Sequence, residues 1–376
     1  MGPLDGVRVV ELAGIGPGPF CAMLLADMGA EVLRVERPAS APGPWPPVLT
    51  RGRRSVAVDL AHPQGAEVVR RLAGAADVLL EGFRPGVAER LGVGPDACLA
   101  RNPRLVYGRA TGWGQDGPWA RMAGHDVNYL ALAGALQPLG RPGQAPQPPL
   151  NLLGDYGGGG MLLAFGVACA LLEAGRSGRG QVVDAAVLDG GALLTTLVHE
   201  LAGLGLWRWE RGANLLDGGA PFYDVYEAAD GGHVAVGALE PEFYRELLAL
   251  LGLDGDDGLP AQFDRERWPE LRERIAAAVR RRGRDEWAAL AEGRDACLTP
   301  VLSPTEAPAH PHNRARGVFA ATADGPRPAP APRFSRTPPG PPGPVPTPGG
   351  DADGALPTWG FTHQEVAALR RSGVLG

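Results

Sequence analysis

The first half of this chain alternates short apolar runs with amphipathic stretches, and that alternation restricts the fold more than any other feature. Apolar runs separated by segments of helical period build a parallel sheet whose strands are joined by crossover helices. The pattern predicts strands at Val7–Leu12, Glu31–Glu36, Val78–Glu81, Leu105–Ala110 and Gln181–Ala185. Helices are expected over Pro19–Gly29, Ala66–Ala75, Val127–Leu136, Met161–Glu173 and Asp189–Gly203. The expected fold class is α/β, with a doubly wound large domain over residues 1–205.

After Leu206 the character changes. Residues 206–220 are turn-rich and predict a linker, and strands at Tyr223–Glu227 and His233–Ala238 open a smaller α+β domain over 221–318. Residues 319–376 form a return segment. Its proline-rich part, Pro326–Pro348, is unable to hold a helix, and a last helix over Thr362–Arg371 is expected to pack back on the large domain.

Charge and side-chain inventory exclude several functions. A formal charge of -6 and a pI near 5.7 argue against nucleic-acid or anionic-membrane partners, so any anion site must be local. No apolar run reaches the roughly 18 residues of a membrane span, and Met1–Asp5 lacks a basic leader, so the expected location is cytoplasmic. Cys21, Cys98, Cys169 and Cys297 lie far apart without C-x-x-C spacing, which indicates neither zinc nor disulfides. There is no lysine: all 36 basic residues are arginines. Schiff-base chemistry and a Walker A loop both need a lysine amine, so arginine must serve any phosphate here.

Gly14-Ile15-Gly16-Pro17-Gly18 follows the first strand and opens a helix, with Glu36 ending the second strand, the layout of a Rossmann-like nucleotide turn. Pro19 replaces the third glycine and Arg37 follows the acidic residue. A structural tight turn, or an approach to a nucleotide other than nicotinamide, is the better reading. Arg37, Arg51, Arg53, Arg54, Arg84, Arg90 and Arg109 cluster around expected carboxyl ends of strands. Singly each is best read as surface charge, but together they point to a phosphate-rich nucleotide ligand at that edge.

Two acid/base groups sit in glycine-marked turns that lead into apolar helical patterns: His125 in Ala123-Gly124-His125-Asp126, and Asp155 in Leu153-Gly154-Asp155-Tyr156 ahead of Gly157–Gly160. Alone, His125 is more often a hydrogen-bonded structural histidine and Asp155 a helix N-cap. Those roles are compatible with proton transfer: a helix start holds a carboxylate ionised and ready to accept a proton, and neighbouring glycines let a ligand approach the backbone. Glu240, in Gly237-Ala238-Leu239-Glu240-Pro241, ends a strand of the small domain. Alone it reads as an exposed carboxylate before a helix.

Taken in order, several blocks resemble the class III CoA-transferase family and, within it, the α-methylacyl-CoA racemases. They include Val9-Val10-Glu11-Leu12-Ala13-Gly14, Glu81-Gly82-Phe83-Arg84-Pro85-Gly86, Thr111-Gly112-Trp113-Gly114-Gln115, Ala123–Tyr129, Pro149–Asp155, Arg211-Gly212-Ala213-Asn214 and Gly237–Pro241. The resemblance implies that His125 and Asp155 are the two acid/base residues and that Glu240 stands beside the histidine. It also implies a CoA site lined by Arg37, by Val58, Asp59, Leu60 and Ala61, by Gly82, Phe83 and Arg84, by Arg90, and by Gly124, His125, Asp126, Val127, Asn128 and Tyr129. Ala61 stands where such racemases often carry a lysine, which removes one charge contact to CoA. The family further implies an interlocked homodimer, an acyl-CoA substrate, and no metal or cofactor beyond the CoA of that substrate.

The activity so implied is epimerisation of 2-methylacyl-CoA at the α-carbon through an enolate, with His125 and Asp155 on opposite faces. A transferase reading makes Asp155 the nucleophile of a covalent acyl-enzyme, for which His125 is not needed. A third reading is a CoA-ester-binding protein without catalysis. Ile15, Trp113, Leu215 and Tyr223 are acyl-pocket candidates too dispersed in sequence to define one cavity.

Overall fold

A computed structural model describes residues 2–38 and 49–376, and their contacts divide them into two units: residues 2–135, 149–195 and 317–376, and residues 136–148 and 196–316. The first unit is built on six parallel strands, β1 (Arg8–Leu12), β2 (Glu31–Glu36), β3 (Arg53–Ala57), β4 (Val78–Glu81), β5 (Val106–Thr111) and β6 (Val182–Ala186). Their order across the sheet is β3-β2-β1-β4-β5-β6, so the chain runs outward from β1 in one direction and then returns to its other side. Helices α1 (Pro17–Asp27), α2 (Gly65–Gly74), α3 (Val87–Arg90), α4 (Pro95–Arg101), α5 (Asp126–Leu132), α6 (Leu162–Ser177) and α7 (Val187–Leu194) belong to the same unit.

Successive residues of a strand point to opposite faces, and here both faces are covered. Val10, Leu12, Leu33, Val35, Val56 and Leu79 pack with Val68, Val69 and Leu72 of α2 and with Trp359, Phe361 and Val366 of the return segment. Val9, Val32, Val78, Leu80 and Val106 pack with Cys21 and Leu25 of α1 and Leu163 and Val167 of α6. Such two-sided burial explains why these strands are predominantly apolar, with Glu11, Arg34 and Arg109 as buried exceptions.

β3 escaped the sequence pattern because three of its five residues, Arg53, Arg54 and Ser55, are polar. Its arginine is tolerated because it is paired: Arg53 and Arg34 both contact Glu11, at 2.8 and 2.5 Å, all three nearly free of solvent. The free edge of β3 is covered by the return segment. Ser55 N–H donates to Asp351 Oδ2 at 2.8 Å, and Val56 bridges to Gly350. Shielding of this kind removes an edge that would otherwise pair with another chain.

Two further expectations need correction. The predicted helix Asp189–Gly203 is two helices, α7 and α8 (Thr196–Gly203). At the break Thr195 Oγ1 donates to Ala192 O at 2.7 Å, a back-bond that competes with the helical ladder. The expectation that no segment is apolar enough to span a membrane also fails by length and composition. Leu152–Ser177 is a continuous helical stretch of 26 residues with mean hydropathy 1.6, because the helix runs through Asp155 and the tetraglycine instead of starting after them. Its Leu163, Val167, Ala170 and Ala174 lie in the core of the first unit.

The second unit holds an antiparallel sheet of β7 (Tyr223–Glu227), β8 (His233–Gly237) and β9 (Leu298–Pro300), packed with α9 (Pro241–Leu251), α10 (Trp268–Val279) and α11 (Arg284–Ala291) around Phe222, Leu247, Ile275 and Trp287. It also includes α8 and residues 136–148, ahead of the expected range 221–318. The expected linker is a pinned loop of this unit. Asp217 accepts the N–H groups of Gly212, Asn214 and Gly219, and the buried Asn214 amide donates to Arg208 O at 2.9 Å.

Candidate active site

In an open parallel sheet, a ligand crevice forms at the carboxyl ends of the strands, where the order reverses. Here that point lies between β1 and β4. The turns leaving β1 (Ile15, Gly16, Pro17), β4 (Gly82, Phe83, Arg84) and β5 (Gly112, Trp113) line a cavity of ≈ 250 Å³, and His125, Tyr129 and Asp155 complete it. The two residues singled out as acid and base therefore open on one space in one unit.

His125 is the N-cap of α5, with extended backbone, and it is exposed. Its own N–H is taken by Asn128 Oδ1 at 3.0 Å. The turn carrying it is clamped by aromatic rings: Tyr129 donates its hydroxyl to Gly124 O, and the Tyr129 ring meets Trp113 edge-on with centroids 4.7 Å apart. Trp113 in turn meets Trp119 edge-on at 5.2 Å.

Asp155 has different surroundings. It lies in the first turn of a wide, π-type helical segment, Leu152–Met161, whose N-cap is Asn151. Such turns are rare and concentrate at functional sites. The expected N-cap role is thus corrected, and so is the expectation of a carboxylate held ionised. Burial pushes the Asp155 carboxyl up to about 6, the Asp126 carboxylate pushes in the same direction, and His125 opposes them. Burial and a like charge outweigh the helix terminus.

The glycines after Asp155 also act otherwise than expected. A side chain at Gly158 would come within 2.9 Å of Gly191 N, and one at Gly160 within 2.7 Å of the Phe20 ring. They admit α7 and α1 to backbone contact with the wide helix, so protein occupies the space expected for a ligand. Stacking of Phe20 on Tyr156, centroids 4.4 Å apart, fixes the same seam.

Of the residues expected to line a CoA site, Gly82, Phe83, Arg84, Gly124, His125 and Tyr129 border the cavity. Arg37, Asp59, Leu60, Ala61, Arg90, Val127 and Asn128 lie outside its lining. Arg37 is exposed after β2, Arg90 is exposed at the end of α3, and Ala61 is exposed in the turn before α2, its N–H donated to Asp59 Oδ1 at 2.9 Å. Val58 is 1% exposed and its side chain belongs to the core. Asp126 is also turned inward.

The arginine cluster needs a sharper correction. Arg51 is buried against Asp27, Arg53 against Glu11, and Arg109 spans Glu81 and Glu89 at 2.7 and 2.8 Å. These cations are spent inside the protein. Arg54 lies 3.9 Å from Glu31. Among the described residues Arg37, Arg84 and Arg90 have no ion-pair partner.

Glu240 belongs to the second unit, as the exposed N-cap of α9. The four acyl-pocket candidates divide likewise: Ile15 and Trp113 line the cavity, whereas Leu215 packs against the second unit's core and Tyr223 lies in its sheet. Sequence reasoning missed how Trp113 holds the His125 turn and how Asp126 meets Asp155. The adjacency of Asp126 to His125 was the one signal for the latter.

The sequence profile of CoA-transferase family III matches residues 4–352. The chain belongs to CoA-transferase family III. Within the family it is 48% identical over 368 residues to a Mus musculus protein named alpha-methylacyl-CoA racemase, covering 97% of this chain and 96% of that protein. A Homo sapiens protein of the same name is 46% identical over 382 residues, covering 99% and 97%. Among solved structures, a CAIB/BAIF family protein from Brucella suis superposes with a TM-score of 0.78 at 26% identity, covering 99% of each chain. This family III fold carries the parallel sheet that positions the cavity.

Proposed function

We propose that this family III enzyme is an α-methylacyl-CoA racemase, an isomerase that epimerises 2-methylacyl-CoA thioesters at the α-carbon. The observation that carries the reading is the pairing of His125 and Asp155 on one cavity, with Asp155 raised to about 6. A group poised near neutral pH serves as acid in one direction and base in the other.

In one direction a ring nitrogen of His125 takes the α-proton, and the C–H electron pair moves into the enolate of the thioester. Asp155, protonated, delivers its proton to the opposite face. The enzyme is left with an imidazolium and a carboxylate, and the reverse direction consumes them. The Mus musculus and Homo sapiens relatives, matched over nearly their full length, both carry the racemase name, which supports this reading over acyl transfer. N–H groups at the start of α5 would hold the enolate oxygen by preorganised hydrogen bonds.

A cavity of ≈ 250 Å³ holds the reacting end of a thioester, with the nucleotide of CoA outside it. Arg84, Arg90 and Arg37, without an ion-pair partner among the described residues, are the side chains we assign to its phosphates. Glu240, in the second unit, is assigned to orient His125 and stabilise its imidazolium. A homodimer is part of the reading. Met161, Phe165 and Leu172 are 57%, 67% and 64% exposed along one face of the long apolar helix, and such a stripe calls for a cover.

The test is incubation of one 2-methylacyl-CoA epimer in deuterated water with no acceptor acid. Racemisation predicts α-deuterium together with loss of optical purity. Turnover that begins only when a carboxylic acid is added would establish transfer instead.

A further inference from the structure

The proton-transfer reading uses His125 and Asp155 but leaves a buried carboxylate between them without a task. Asp126 follows His125 in the first turn of α5 and is 7% exposed. Its Oδ2 accepts the N–H of Asp155 at 2.5 Å, and the backbone of Gly154 favours its charged form. Its Oδ1 is buried with no partner among the described residues. A side chain at Gly154 would lie 2.3 Å from Asp126 Oδ2, so the glycine is what lets the carboxylate reach the turn.

A half-satisfied buried carboxylate is costly unless something else is gained. Two gains are visible. The contact ties the segment bearing one base to the segment bearing the other through a single side chain, which sets their separation. It also places a negative charge against the start of the turn from which Asp155 must hold a proton for half of its cycle.

We propose that Asp126 is a positioning residue that couples the two bases, holding the Asp155 turn against the His125 turn and favouring protonated Asp155 by its charge. This rests on the proton-transfer reading. Other charges around the wide helix do not substitute for it. His125 acts in the opposite sense on Asp155, and Tyr129 feels both Asp155 and Arg84. Asp27 on α1 is paired with Arg51, Arg109 on β5 with Glu81 and Glu89, and Asp184 on β6 accepts Gln115 N–H with Asp189 of α7 nearby. Burial also raises Asp126 itself, which the backbones of Asp155 and Gly154 oppose.

Asp126→Asn keeps an oxygen for the Asp155 N–H and removes the charge, whereas Asp126→Ala removes both. Two readouts are needed: the titration of Asp155 by carboxyl NMR of the folded protein, and the pH profile of α-deuterium exchange. Expected for Asp126→Asn is an Asp155 midpoint moved to lower pH, with the acid limb of kcat/KM following it. Expected for Asp126→Ala is the same move plus a fall in kcat of about 10- to 100-fold with KM little changed, as for misplaced reacting groups. The NMR readout stands whether or not the enzyme exchanges α-protons, so failure of the racemase reading is seen separately. An unmoved Asp155 titration in a folded Asp126→Asn protein would overturn the proposal. So would a loss in Asp126→Ala matched by an equal loss of thermal stability and rescued by cooling.

Discussion

His125 and Asp155 stand in sequence contexts that look alike, yet the regions around them make opposite environments. The start of α5 holds its histidine at the surface, clamped from behind by Tyr129 and Trp113. The wide helix holds its aspartate half-buried, beside a second carboxylate. Reactivity at the first is a matter of orientation, and at the second of solvation and charge. A glycine before an ionisable residue therefore says where the backbone turns and nothing about what surrounds the side chain.

The largest expected effect breaks the comparison outright. His125→Ala and Asp155→Asn should each lower epimerisation by about 10³-fold, within the range for removing one general acid or base. Chiral analysis of recovered thioester checks it. Equal losses from groups so differently housed would place both in the chemical step.

Next is the support beneath Asp155. Gly154→Ala puts a methyl against Asp126 Oδ2 and should cost roughly 10²-fold in kcat, the scale of an ångström of misplacement. Steady-state kinetics read it, and a variant with normal kcat would show that the turn yields freely.

A third prediction concerns stability. Asp155 is raised in the fold from 3.8 to about 6, so the folded state binds its proton more tightly than the unfolded chain. The resulting stability is fully present below the unfolded value and is lost as pH rises through about 6. Above that pH, native Asp155 is a destabilising residue. Asp155→Asn should then stabilise the protein by about 1 kcal/mol at pH 8 and by nothing near pH 3, after discounting for its partial exposure. Thermal melts at the two pH values decide it, and a gain that ignores pH would contradict the burial argument.

The smallest effect is on the histidine side. Tyr129→Phe loses the hydroxyl donated to Gly124 O but keeps the ring against Trp113. It should cost about 1 kcal/mol of stability and only a few-fold in kcat. A loss as large as that of Gly154→Ala would mean that the two turns are equally delicate.

Much of the fold was legible because both faces of the sheet are covered, which leaves mainly apolar runs at β1, β2, β4 and β5, each broken by at most one charged residue in its interior. β3 was hidden because its register places Arg53 and Ser55 in buried polar contacts rather than in a hydrophobic layer. The identities of His125 and Asp155 could be read from residue type and turn. The environment of Asp155 could not, since Asp126 lies 29 residues away in the chain and only the wide helix brings its carboxylate to the Asp155 N–H. For the same reason the arginine cluster misled: Asp27, Glu11 and Glu81, which neutralise it, are placed by the sheet and not by adjacency.

The central claim is that two different bases face one α-carbon from opposite sides. Its most direct test follows α-deuterium incorporation into each epimer separately with His125→Ala and Asp155→Asn. Complementary partial reactions are expected, each variant exchanging only the epimer whose proton faces the remaining base, with configuration retained. Loss of the same epimer's exchange in both variants, or exchange of both epimers by either one, would contradict it.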